Sequence, residues 1–129
     1  MGTFTVQVSL PDRSRVRALV DTGATFSKLP SSVLRRLGVR PDFETRVELG
    51  DGRRIRRQVG YVRLGVAGKR APVPVMFGGR GEEPLVGATT LEILGLAPDP
   101  VHRRLVESSH LEVSERRSYR RPRRSAAPT

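Results

Sequence analysis

The stretch LVDTGATF, from Leu19 to Phe26, is the place in this chain best suited to chemistry. Two apolar residues lead to an acid, and a hydroxyl, a glycine and small residues follow it. An Asp flanked in this way reads as half of a two-carboxylate site. The chain carries no second Asp-Thr-Gly, so the other carboxylate must come from elsewhere. Three residues recur by chance, and most such Asp residues make ordinary turns or caps, so the surroundings decide whether Asp21 is catalytic.

Rival chemistries find little support. His102 and His110 have no spacing with other ligands that suggests a metal, and both read as surface or tail histidines. No Ser lies in a nucleophile elbow, and no glycine run leads into Gly-Lys-Ser/Thr. FGGRGEE is glycine-rich but reads as a flexible loop, with Glu82 and Glu83 as solvated charge. There is no Cys, which removes disulfides and thiolate metal sites and fits a reducing cytoplasm. No metal and no cofactor are expected.

The chain has 129 residues, enough for one domain, with 36% hydrophobic and 5% aromatic residues and no Trp. That is a thin supply for a core, so a partner surface is expected to complete the burial of its apolar face. The formal charge is +11, but six arginines lie in RRSYRRPRR, Arg116 to Arg124. Without residues 116–129 the balance is 18 basic against 13 acidic residues, or +5. Arg outnumbers Lys 22 to 2, a bias that GC-rich codons would also produce. The N-terminus lacks a secretory pattern and no apolar run approaches a membrane span, so a cytoplasmic protein without membrane contact is expected.

The elements that must position Asp21 follow from periodicity. TFTVQVSL alternates, placing Phe4, Val6, Val8 and Leu10 on one face of a strand. Pro11-Asp12 turns the chain, and RVRALV delivers Asp21 at a strand end. LPSSVLRRLGVRP reads as a short helix, with Ser31 or Ser32 capping its start, Arg35 and Arg36 at its negative end, and Gly38 as its stop. In TRVELGDGRRIRRQVGYVRLGVAG, Asp51-Gly52 predicts a two-residue hairpin turn between arginine-rich arms that project from the body. APVPVMF reads as a strand whose prolines favour an edge. Leu85-Val86-Gly87 leads into a short helix with Thr89-x-x-Glu92 as a capping box. Gly95 ends that helix, Asp99-Pro100 turns the chain, and VHRRLV is a last strand. The body therefore spans residues 1–107, and the Arg-rich residues 108–129 are expected to be disordered.

Together these features resemble the retropepsin-like aspartic proteases, in particular the compact cellular members of that family. The resemblance covers residues 3 to about 107. ALVDTGATFSKLP matches the active-site loop, ELGDGRRI takes the place of the flap hairpin, and PLVGATTLEILGL matches the hydrophobic-hydrophobic-Gly motif before the C-terminal helix. It implies a mainly β single domain with one or two short helices, a half-barrel active as a two-fold dimer. Symmetry would then supply the second carboxylate, and an isologous interface would bury the apolar surface left over by a thin core.

On that resemblance Asp21 is catalytic, Thr22 and Gly23 support the active-site loop, and peptide substrate contacts Gly23, Ala24, Thr25, Leu49, Gly50, Asp51, Gly52 and Val86. The implied activity is endopeptidase cleavage of peptides or unfolded protein segments by a water held between two aspartates. The chain departs from the viral pattern at Thr25 and Ala88, where an acid and an arginine would pair. Both partners are missing together, so no charge is orphaned. Lys28, just beyond the loop, has no explanation at this level. A second reading is a non-catalytic binding module whose Arg-rich tail contacts nucleic acid or another polyanion.

Overall fold

The computed structural model describes residues 3–108, and within them lie nine strands and two short helices. The expected mainly β class holds. In chain order the elements are β1 (Thr5–Ser9), β2 (Arg15–Val20), β3 (Ser27–Pro30), α1 (Ser31–Arg36), β4 (Phe43–Glu48), β5 (Arg54–Val66), β6 (Lys69–Gly78), β7 (Leu85–Val86), α2 (Ala88–Leu94), β8 (Leu96–Asp99) and β9 (Arg104–Glu107). No helix among the described residues is long and apolar enough to cross a membrane. The Arg-rich tail, on which the disorder and the nucleic-acid contact were expected, lies outside the described residues beyond Ser108.

Seven strands form one sheet in the order β1-β2-β7-β3-β6-β5-β4, and a further pairing of β1 with β5 curls that sheet onto itself. The alternation in the first strand behaves as expected. Phe4, Val8 and Leu10 are buried, and they pack with Ala18 and Val20 of β2, Leu64 and Val66 of β5 and Val73 and Val75 of β6. Leu34 of α1 and Leu91 and Leu94 of α2 cover that core. β8 and β9 form a separate two-stranded ribbon, joined at its end by the Ser108 amide bonding to the Gly95 carbonyl at 3.0 Å.

Several local expectations are corrected. Neither helix is capped by a side chain: Ser31 Oγ instead donates to the Gly78 carbonyl at 2.8 Å, tying α1 to the end of β6. The Thr89 capping box does not form because α2 begins at Ala88 with Gly87 as its N-cap. The Asp51-Gly52 turn is a three-residue loop. Leu49 and Arg53 still pair, Gly52 N donates to Leu49 O at 2.9 Å, and only Gly52 has positive φ (+90°). A type I turn closed by a left-handed glycine is the usual solution at that length. Finally, β6 is an interior strand flanked by β5 and β3. Its prolines are tolerated because β3 pairs only Val75–Gly78, so Pro72 and Pro74 sit where one side of β6 has no neighbouring strand.

Candidate active site

Asp21 follows the last residue of β2, and its backbone is fixed on both sides. Val20 and Leu19 pair in parallel with Val86 and Leu85 of β7, and the Asp21 amide donates to the Val86 carbonyl at 3.0 Å. The chain then turns back sharply: Ala24 N reaches Asp21 O at 3.1 Å, and Gly23 N donates to Asp21 Oδ1 at 2.9 Å. That last bond sets the direction of the carboxylate. A side chain at position 23 would place its Cβ 3.3 Å from the same oxygen.

The loop is also held from behind. The first amides of α2 have no partners inside their helix. Two of them go to the active-site loop instead, Ala88 N to Ala24 O at 2.8 Å and Thr89 N to Thr25 O at 3.0 Å. Gly87 permits the approach, since a Cβ there would lie 2.6 Å from the carbonyl carbon and oxygen of Phe26. Its own amide donates to Ser27 Oγ at 3.0 Å, and that hydroxyl lies 2.6 Å from Thr90 Oγ1.

In front of Asp21 opens a cleft of about 440 Å³. Its floor and one wall are Asp21, Gly23, Ala24, Thr25 and Phe26, and the opposite wall is the β4 arm from Thr45 to Glu48, with Met76 between them. Of the expected substrate contacts, Gly23, Ala24 and Thr25 therefore line the cleft. Leu49, Gly50, Asp51 and Gly52 form the hairpin tip beyond its wall, where Asp51 accepts from the amide and Nε of Arg53. The backbone hydrogen bond from Arg53 and its guanidinium hold the Asp51 carboxyl below the usual range. Val86 is fully buried and serves Asp21 through its carbonyl. Thr22 is exposed and does not line the cleft.

Sequence reasoning missed two features of this region. The β4 residues Thr45, Arg46, Val47 and Glu48 line the cleft, although only the flap tip had been singled out; strand alternation beside a hairpin turn could have pointed to them. The other is Glu82, expected as solvated loop charge. It accepts from Gly79 N at 2.9 Å, pairs with Arg57 of β5, and lies 3.4 Å from Lys28 Nζ. Burial works against its charge, but the Gly79 amide, Arg57 and Lys28 outweigh that and lower its pKa to about 2. This cluster explains Lys28. It fastens the 79–83 loop to β3 and to β5. His102, in turn, is exposed and bonds Asp99 through Nδ1 at 2.8 Å.

A curled β-sheet with one Asp-Thr-Gly loop braced by a glycine-led helix, beneath a hairpin, defines an acid-protease half-barrel. The family described as aspartyl protease matches residues 6–95, and the chain belongs to it. Among solved structures it is similar to the protease of simian foamy virus (mac), with a TM-score of 0.55 and 19% identity over 74% of this chain and 99% of that one. No curated protein matches the chain. The retropepsin-like reading of the sequence is thus confirmed at the level of family and fold.

Proposed function

We propose that this protein is an aspartic endopeptidase that acts as a two-fold homodimer, with Asp21 facing the partner subunit's Asp21. The observation that carries this reading is the position of Asp21: its carboxylate is oriented by Gly23 N at the floor of an open cleft, on a loop that three backbone hydrogen bonds and a tight glycine contact hold in place.

Two carboxyls a few ångströms apart cannot both ionise comfortably and share one proton, for which aspartic proteases are the standard example. The ionised member takes a proton from a bound water, which attacks the scissile carbonyl. The protonated member donates a hydrogen bond to the carbonyl oxygen as the carbon becomes tetrahedral. As that intermediate collapses, the carboxyl that took the water's proton passes it to the departing amine, which leaves the dyad sharing one proton again. No covalent intermediate forms.

Thr22, exposed beside Asp21, would reach the partner's loop with its hydroxyl. Substrate lies extended against Gly23, Ala24 and Thr25, with alternate side chains entering the cleft between Phe26, Val47 and Met76. The flap tip, Leu49 to Gly52, closes over it and excludes water. Substitution Asp21→Asn preserves the size of the side chain and removes its acid–base chemistry. It is expected to abolish cleavage of a peptide library, read by mass spectrometry, while sedimentation still shows a dimer. Undiminished cleavage by that variant would end the enzyme reading.

A further inference from the structure

The wall of the cleft does not end at Met76. In β6 the residues two apart share a face, as do their cross-strand partners in β5. The register pairs Val59 with Met76, Tyr61 with Pro74, Arg63 with Pro72, and Gly65 with Arg70. The row then continues through Ser9 of β1, opposite Gly65, to Arg15 of β2, opposite Ser9. A Cβ on Gly65 would meet Ser9 Cβ at 3.3 Å and the Arg70 guanidinium carbon at 3.4 Å, so Arg70 lies across the sheet along this row. This side of the sheet is covered next to the cleft, where Val59, Met76 and Pro74 are buried, and it opens at Tyr61 and Arg63 towards a set of arginines.

Its chemistry changes along the way. Next to the cleft it is aromatic: Phe26 packs edge-on to Phe43 at 5.8 Å, and Phe43 lies 6.5 Å from Tyr61, which is 52% exposed. Beyond Tyr61 come Arg63, Arg70 and Arg15, with Arg17 two residues along β2, all exposed. None of the four has a carboxylate within ion-pair distance among the described residues. The nearby acids at the margins are engaged, Asp12 with Arg36 and Glu107 with Lys69. Like charges gathered on one sheet face repel unless an anion lies among them.

We propose that this face is an exosite for an acidic segment of the polypeptide substrate, flanking the stretch that enters the cleft. The proposal rests on the peptidase reading above. An extended chain covers the six residue steps from Met76 to Arg70 in about 20 Å, which places the acidic residues four to seven positions from the one lying over Met76. Because Pro72 and Pro74 carry no N–H, that margin of β6 offers a poor edge for an added strand, and recognition there falls to side chains. Tyr61 with arginines could also stack and pair a single-stranded nucleic acid. Asp21 and Glu48 at the cleft end disfavour a uniform polyanion, whereas a chain that is uncharged over the cleft and acidic beyond Tyr61 matches both ends.

The test uses full-length Asp21→Asn protein and fluorescent peptides sharing one uncharged octapeptide core. One peptide carries an eight-residue Asp/Glu extension and the other a neutral extension of equal length, and binding is read by anisotropy. At low salt the acidic peptide is expected to bind about tenfold more tightly, with the preference falling below about twofold at high salt. Arg63→Glu/Arg70→Glu, with the Arg-rich tail intact, is expected to remove the preference and to change affinity for the neutral peptide less than about twofold. A preference that survives the double charge reversal overturns the proposal. So does an RNA octamer that binds more tightly than the acidic peptide and loses that binding in the same variant. Cleavage of the core by the Asp21 protein is measured separately, so absent cleavage with an intact arginine-dependent preference counts against the peptidase reading and not against the exosite.

Discussion

The hydroxyls of Ser27 and Thr90 lie 2.6 Å apart, both fully buried, although 63 positions separate them in the chain. Ser27 Oγ also accepts the amide of Gly87, so a single oxygen links β3, the glycine before α2 and α2 itself behind the active-site loop. Removing it leaves two buried polar groups short of a partner. Ser27→Ala is expected to destabilise the fold by about 1–3 kcal/mol, measured by urea unfolding. Thr90→Val should cost less, because Gly87 N keeps its acceptor. In a double-mutant cycle the two substitutions should be strongly non-additive.

Gly87 and Gly50 make an internal comparison of two glycines. At Gly87 an added methyl would meet backbone atoms of Phe26 at 2.6 Å, and backbone cannot swing aside as a side-chain end can. Gly87→Ala should therefore cost upward of about 3 kcal/mol or prevent folding. At Gly50 nothing lies within 4 Å, and φ is not positive. Gly50→Ala should leave stability within about 0.5 kcal/mol, as thermal unfolding of the pair would show.

Glu82 gives the fold an acid-dependent contribution. Its pKa falls from 4.5 in the unfolded chain to about 2 in the folded one. The folded state thus favours the carboxylate. The contribution is present in full above the unfolded value and is lost as pH falls from about 4.5 toward 2. Allowing for solvent screening of a partly exposed group, its size is roughly 1–2 kcal/mol. Glu82→Gln should lower stability at pH 7 and flatten the loss between pH 4.5 and 2, measured by denaturation across that range.

Much of this was legible in the sequence because periodicity and special residues spoke for it. Phe4, Val8 and Leu10 announced β1, the apolar run before Asp21 announced a strand end, and Gly38, Gly52 and Gly95 marked the left-handed positions they occupy. β3 and β8 went unseen because SKLP and LAPD each carry a proline and little alternation, whereas β9, equally short, was announced by VHRRLV although it begins only at Arg104. The failures at Ser31 and Thr89 share one cause. Local patterns suggest that these residues cap their own helices, but tertiary partners claim the groups: Gly78 O takes Ser31, and the active-site carbonyls take the first amides of α2. Glu82 was misread for the same reason, since nothing local reveals that Lys28 and Arg57 converge on it.

The symmetric pairing of Asp21 is tested most directly by the peptide cleavage rate as a function of protein concentration, with sedimentation run on the same samples. An active site shared between two copies gives a rate that rises with the square of concentration below the dissociation constant and becomes linear above it, in step with the dimer population. A rate strictly proportional to concentration throughout, from a species sedimenting as a 14.3 kDa monomer, would contradict it.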